Sequence, residues 1–197
     1  MDSVSKTVNQ VSHPLAVVQK IKEMHSDADL IFEYSIYTPG PPGITLSRRI
    51  KQVNGDDVCQ SWLQNELDNL SNGEELAWHS KVLCSGKTFH IPMADFMGQL
   101  DHNSIARISA LLHAFDGKLF VYDSGRSLHV YVGSLIDANE WHSYLGTVLL
   151  LNPSGTSVEH IVDCRWVGHS LENGFSALRW SLNTERYTKL PSLIAGG

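Results

Sequence analysis

The segment 120–132, FVYDSGRSLHVYV, constrains this chain more than any other. It predicts two short strands around a Ser-Gly turn. Leu128, Val130 and Val132 alternate with Ser127, His129 and Tyr131, so period-two geometry sends the apolar set to the core and the polar set to a cleft or to solvent. Gly125 permits a tight turn or a close backbone approach to an anion, and Arg126 beside it offers a forked phosphate donor. A glycine turn, an arginine and an outward histidine make joint sense if a phosphorylated group lies there. The segment taken alone also reads as an ordinary hairpin with a surface histidine.

At 197 residues, with 42% hydrophobic and 18% charged residues, the composition is that of a globular chain with one substantial core. We read 1–197 as a single domain. The formal net charge of −6 excludes a protein that coats nucleic acid unaided, which would be basic. Contact with nucleic acid is then local, weak, or shared with a protein partner. The first residues carry an early acid and no sustained apolar core, so they do not read as a secretion signal. No apolar run approaches the roughly 20 residues that span a bilayer. Cys59, Cys84 and Cys164 form no CxxC pair, which points to the cytoplasm rather than to a disulfide framework.

Along the chain, Pro14 at the first helical position opens a helix through Ala16, Val17, Ile21 and Met24. Residues 30–37 and 44–53 read as strands around the Pro/Gly loop 38–43, the second carrying the basic spot Arg48, Arg49 and Lys51. Asp56 or Asp57 caps a helix through Trp62, Leu63, Glu66 and Leu70. Residues 75–83 and 89–97 read as a strand pair joined by 84–87. A helix follows, with Ile105, Ile108, Leu111, Leu112 and Phe115 at helical spacing, and then the 120–132 hairpin. Asp137 with Glu140 forms an acidic capping box opening a helix whose stripe is Trp141, Tyr144, Leu145, Val148 and Leu149. Residues 160–167 and 175–180 read as short strands, with Asn173-Gly174 as the turn signal between them. The fold class is α/β of the α+β type: a mixed, antiparallel-rich sheet packed by helices.

Three pieces form a set. HIPMADFMG (90–98) is an apolar strand bearing one carboxylate, Asp95; SGRSLH (124–129) is the turn and strand; IVDCRWV (161–167) ends another apolar strand at Asp163 and is followed by ALRWSLNT (177–184). That order resembles the archaeo-eukaryotic primase superfamily, the primase-polymerases. There a strand bears an Asp-x-Asp pair, a hairpin bears Ser-x-His, and a later strand bears a third Asp. A stretch similar to Leu-Arg-x-x-x-Ser-x-Asn comes last. Asp95 matches the first acid, Ser127 and His129 the Ser-x-His, and Asp163 the third acid. Leu178, Arg179, Ser181 and Asn183 resemble the final stretch. The resemblance spans 89–190 and leaves 1–84 outside it.

One departure matters. The second carboxylate of the first motif would stand two residues after Asp95, where this chain has Met97. Residues i and i+2 share a strand face, and methionine does not ligate Mg²⁺, a hard cation that takes oxygen. The chain most resembles the single-aspartate, or 1D-like, relatives. Two-metal chemistry holds its ions roughly 3.5–4 Å apart, which demands carboxylates between them. Asp95 and Asp163 suffice for one ion with help from a triphosphate, and Asp101 and Asp123 are the nearby substitutes.

The resemblance implies Asp95 and Asp163 on Mg²⁺ or Mn²⁺, and His129 as the third catalytic residue, on the phosphates of a nucleoside triphosphate. Ser127, Arg126 and Arg179 join it in nucleotide binding. Each has a bland counterpart: Asp95 as a buried acid satisfied by other donors, His129 as a surface histidine, Arg179 as the salt-bridge partner of Asp163. Trp166 and Trp180 either stack bases or belong to the core, and His160 with Cys164 is the one short-spaced pair of zinc-ligand types. The implied function is primase-like: binding of nucleotide or single-stranded nucleic acid, and DNA or RNA primer synthesis of reduced competence. The alternative is a non-catalytic subunit of a larger nucleic-acid-processing or defence complex.

Overall fold

A computed structural model describes residues 12–41, 44–97, 108, 117–154 and 160–196. Its strands form two sheets in which every described pairing is antiparallel. The first has the order β2-β1-β3-β4, from β1 (Leu30–Pro39), β2 (Thr45–Asn54), β3 (Glu75–Cys84) and β4 (Lys87–His90). A short β8 (Ala177–Arg179) pairs with β3 over Ala77–His79, ahead of the stretch that β4 takes. The second sheet has the order β5-β7-β6-β9, from β5 (Met93–Met97), β6 (Leu119–Asp123), β7 (Ser127–Val132) and β9 (Ser192–Gly196). The mixed α+β class read from the sequence is the class observed, with two antiparallel sheets in place of one.

The α-helices fully within the described residues are α1 (Leu15–Met24), α2 (Gln60–Asp68), α3 (Ala138–Leu150) and α4 (Cys164–Asn173). In α1, Pro14 is the N-cap residue, and the capping acceptor is one residue earlier: the Leu15 N–H donates to His13 Nδ1 at 3.1 Å. The cap of α2 is Cys59 instead of Asp56 or Asp57, because Gly55–Asp57 first makes a turn of 3-10 helix. The capping box of α3 is as expected: Asp137 Oδ1 accepts from the Asn139 and Glu140 N–H groups, and Glu140 Oε2 accepts from the Asp137 N–H. The expected helix around 105–115 lies outside the described residues except for Ile108, which is helical and buried.

Two strand expectations fail for identifiable reasons. The segment 89–97 is two strands in different sheets, broken at Ile91-Pro92; proline lacks the N–H that a continuous central strand needs. The second half of 160–167 is the start of α4, and Asn173-Gly174 ends that helix, with Gly174 at φ 73° as its left-handed cap. A single isolated bridge, Phe96 to Val162, is what remains of a strand there.

Two apolar cores follow. One lies between the sheets and gathers Phe32, Trp78, Met93, Tyr131 and Trp180 with α1 residues Leu15 and Ile21. Trp78 and Trp180 stack at 4.3 Å, which assigns Trp180 to the core. The other lies between the second sheet and helices α3 and α4, and includes Phe96, Leu128, Val130, Trp141, Leu145 and Val167. The second sheet is therefore covered on both faces, and this changes the reading of His129. Its alternation with Leu128 and Val130 is as expected, yet its face packs toward the first sheet and the ring is buried.

Candidate functional site

The site is built on the middle of the second sheet. In the register of β5, β7 and β6, Asp95 stands opposite His129, and His129 opposite Tyr122. Each of the three carries a buried polar atom without a hydrogen-bond partner among the described residues: Asp95 Oδ1, His129 Nδ1 and the Tyr122 hydroxyl. Buried polar atoms are nearly always paired, and orphans in a native fold call for a reason such as a bound ion or water. Other orphaned atoms are scattered, among them Trp78 Nε1 and Trp141 Nε1, but here three stand side by side in one row.

Asp163 reaches this row through the backbone. The outer edge of β5 takes up the segment before α4: the Met97 N–H donates to the Ile161 carbonyl at 2.8 Å, and the Asp163 N–H to the Asp95 carbonyl at 3.4 Å. Asp163 does not end a strand. It is the N-cap of α4, with its Oδ1 accepting from the N–H groups of Arg165 and Trp166 at 2.9 and 3.3 Å, a position favoured by the partial positive charge of a helix start. Asp95, His129 and Asp163 are thus backbone neighbours drawn from two strands and one helix cap, and of the three only Asp163 lines the open cleft beside them.

Burial lifts the Asp95 carboxyl to about pH 6, and the neighbouring Asp163 charge adds to the rise. The Ser127 hydroxyl, Arg179 and Arg126 oppose it. Burial, with Arg179 second, lowers His129 to about 3, so its imidazole is neutral at physiological pH and offers one donor and one acceptor. The Ser127 hydroxyl is within 3.0 Å of the Ser124 hydroxyl. Gly125 closes the turn at φ +93°, and an added Cβ would stand 2.7 Å from Thr188 Oγ1. The glycine thus makes room for a chain segment that crosses the hairpin. Arg126 is exposed.

Arg179, on β8, makes no salt bridge with Asp163. Its guanidinium donates to the carbonyls of Ser181, Ser124 (2.9 Å) and Lys189 (3.0 Å) and lies 4.1 Å from the Tyr187 ring centre. Asp123 is engaged elsewhere, accepting from Lys189 Nζ at 2.6 Å and from the Gly125 N–H, and Asp101 lies outside the described residues. Met97 shares the face of Asp95 as expected, opposite Ser127, and is 50% exposed.

Beside the row opens a cleft of about 820 Å³ between the first sheet and α4. Asp163 and Arg126 line it, with Arg48, Arg165 and Arg186 among its cations and Tyr37, Trp166, Phe175 and Tyr187 among its rings. Of the predicted basic spot, Arg49 pairs with Glu74 at 2.7 Å and Lys51 with Glu66 at 3.0 Å. Arg48 instead spans the rings of Tyr37 and Phe175 at 5.7 and 5.8 Å. Cys164 Sγ lies 3.8 Å from His160 Nδ1, and no group of three His, Cys, Asp or Glu side chains is arranged to hold a metal among the described residues.

Sequence reasoning missed Tyr122, which carries no polar signal in an apolar strand. Among the described residues no helix is long and apolar enough to cross a membrane. No match was found among curated proteins or among solved structures. A family model does match residues 54–192, more than two thirds of the chain and including every predicted site residue. The chain belongs to the AEP-like family of archaeo-eukaryotic primase 1D-like proteins, and its function is primase-related.

Proposed function

We propose that this protein binds a nucleoside triphosphate and single-stranded nucleic acid in the cleft between its first sheet and α4, with at most one firmly held Mg²⁺ or Mn²⁺. The observation that carries this reading is the orphaned Oδ1 of Asp95 beside Asp163. Two carboxylates offer oxygen donors suited to a hard cation. With no third carboxylate placed beside them among the described residues, the remaining ligands in this reading come from the triphosphate and from water. When bound, such an ion supplies charge neutralisation for the phosphates and a Lewis acid at the reacting phosphoryl group.

The chain's own residues have separable tasks in this reading. Asp95 and Asp163 hold the ion. His129, kept neutral by burial, donates a hydrogen bond without adding charge, and Ser127 and Arg126 at the hairpin turn meet the phosphates. The Arg179 guanidinium, whose described bonds are to carbonyls, contributes a fixed positive field. Arg48 and the rings of Phe175 and Trp166 provide a cationic, stacking wall of the kind that tracks a single strand. The cleft volume falls within the roughly 300–1,000 Å³ common for ligand pockets.

Met97, exposed at the position of the missing carboxylate, favours binding over efficient polymerisation. With a chain charge of −6, nucleic-acid affinity is weak in isolation and steeply salt-dependent, which leaves room for a protein partner.

Calorimetry of Mn²⁺ with and without ATP tests the reading. The expected result is Mn²⁺ binding that strengthens when ATP is present and falls at least tenfold in Asp95→Asn. The melting temperature of that variant without metal should be unchanged or higher, because a desolvated carboxylate has been replaced by an amide. Equal Mn²⁺–ATP affinity in the two proteins would remove Asp95 from the site.

A further inference from the structure

We propose that Glu75 is the positioning residue of this site: a buried counter-charge that, through Ser181, holds Arg179 in place and fastens the segment 181–190 across the cleft. The inference deepens the nucleotide-binding reading and rests on it for its ligand. Glu75 opens β3 and is 0% exposed. A buried carboxylate is tolerable only when it is richly hydrogen-bonded, and this one is. Glu75 Oε2 accepts a hydrogen bond from the Ser181 hydroxyl. Oε1 accepts from the Asn183 N–H at 3.0 Å, the Thr184 N–H at 2.8 Å and the Thr184 hydroxyl at 2.7 Å.

Ser181 joins this acid to the arginine. Its hydroxyl donates to Glu75 while accepting from the Leu76 N–H at 2.7 Å, and its carbonyl accepts from Arg179. The two buried charged groups are thus bridged by one residue, Ser181, and neutral groups make the other described hydrogen bonds of each. The consequence lies at the metal site. Arg179, held to Ser181 and to the carbonyls of Ser124 and Lys189, closes on neither Asp95 nor Asp163 among the described ion pairs.

Beyond Thr184 the chain becomes a strap anchored on both sheets. Arg186 donates to the Gly40 carbonyl, and the Tyr187 hydroxyl meets that of Tyr37 at 3.2 Å on the first sheet. Lys189 reaches Asp123 at 2.6 Å, and its carbonyl accepts from Arg179, on the hairpin side. Arg186 and Tyr187 line the cleft. Glu75 fastens the beginning of this strap, and nothing in the local sequence announces it, because its partners lie more than a hundred residues away.

The test compares the full-length chain with Glu75→Gln, Thr184→Val, Arg179→Lys and the Glu75→Gln/Arg179→Lys double variant. The readouts are hydrogen exchange over 181–190 and Mn²⁺–ATP affinity. Thr184→Val removes one bond to the carboxylate and keeps the test decisive if Glu75→Gln does not fold. Expected are faster exchange confined to the strap, by tenfold or more in Glu75→Gln, and a roughly tenfold loss of Mn²⁺–ATP affinity. The loss should not deepen in the double variant, since residues acting through one network are non-additive. Unchanged strap exchange would overturn the proposal. So would a loosened strap with intact affinity, or losses that simply add, since either describes a purely structural acid. If the native chain binds no Mn²⁺–ATP, the nucleotide reading falls and the positioning role with it, while strap exchange still decides whether Glu75 is a latch.

Discussion

Both sheets bury a row of polar side chains, and the two rows are treated in opposite ways. In the first sheet His79 lies between two residues of β1: its Nδ1 meets Glu33 Oε1 at 3.2 Å and its Nε2 the Ser35 hydroxyl at 2.9 Å. The ring stacks on Phe175 at 3.9 Å. Both nitrogens are satisfied. The order serine, histidine, carboxylate is that of a hydrolase relay, but Ser35 is 0% exposed, so no substrate reaches it and the row is structural. In the second sheet Asp95, His129 and Tyr122 form a similar row and each is left with an orphaned atom. A satisfied buried network stabilises and specifies the fold; an unsatisfied one has free energy still to gain from a ligand.

Acid gives the largest expected contrast. His13 and His90 are both lowered to about 4 by burial, against an ordinary 6.5. His13 Nδ1 accepts the Leu15 N–H, a bond that the doubly protonated ring cannot make. A folded-state pKa below the unfolded value means that protons favour the unfolded chain. The stabilisation is therefore complete above pH 6.5 and is lost as the pH falls toward 4, by roughly 3 kcal/mol for each histidine. His129 acts in the same direction. Asp95, raised to about 6, acts oppositely between 6 and 4 and offsets part of the loss. Urea midpoints measured from pH 7 to 4 should fall steeply, and His13→Ser, which keeps a capping acceptor, should flatten the curve. A midpoint independent of pH would mean that burial does not hold these imidazoles neutral.

Cutting one member from each row comes next in size. His79→Leu leaves Glu33 and Ser35 buried without that partner and should cost about 3 kcal/mol. Tyr122→Phe removes a hydroxyl that has no partner, so stability should stay within about 0.5 kcal/mol or rise. Denaturant unfolding of both variants checks this pair. Equal losses would mean that the Tyr122 hydroxyl has a partner and that the second row is as closed as the first.

How much of this was legible in the sequence follows from the range over which each signal acts. The 120–132 hairpin, the strand 30–37 and the Asp137 capping box rest on periodicity and on contacts within four residues, and they stand. The Asp-to-His face of the second sheet was also legible, because strand alternation fixes it. That the face is buried was not, since it depends on a second sheet whose packing no local pattern encodes. Ile161 and Val162 precede Asp163 in an apolar run, and Trp166 stands where a capping-box acid would, so the local pattern suits a strand end better than a helix cap. The asparagine-glycine pair that ends α4 is equally a hairpin signal. Pro92, within an otherwise apolar segment, was the available clue that 89–97 breaks between two sheets. Glu75 had no clue at all.

The smallest expected effect on stability, and the sharpest test of the second row, comes from Met97→Asp. Were Met97 in the core, an aspartate there would bury an unpaired charge and cost several kcal/mol. It is instead 50% exposed at the rim of β5, opposite Ser127, so the substitution should cost about 0.5 kcal/mol or less at pH 7 without metal. What cost there is comes from like charge near Asp95, some 6–7 Å away along one strand face. A dication reverses that sign. Two acids on the same face, with Asp163 beside them, would turn mutual repulsion into ligation, so Mn²⁺ should raise the melting temperature of Met97→Asp more than that of the native chain. Thermal melts with and without Mn²⁺ read this directly. A large metal-independent loss of stability would mean that this face of β5 is closed beyond Asp95. A small loss with no gain from Mn²⁺ would mean that the orphaned row is completed by something other than a cation, leaving His129 and Arg126 to bind phosphate without one.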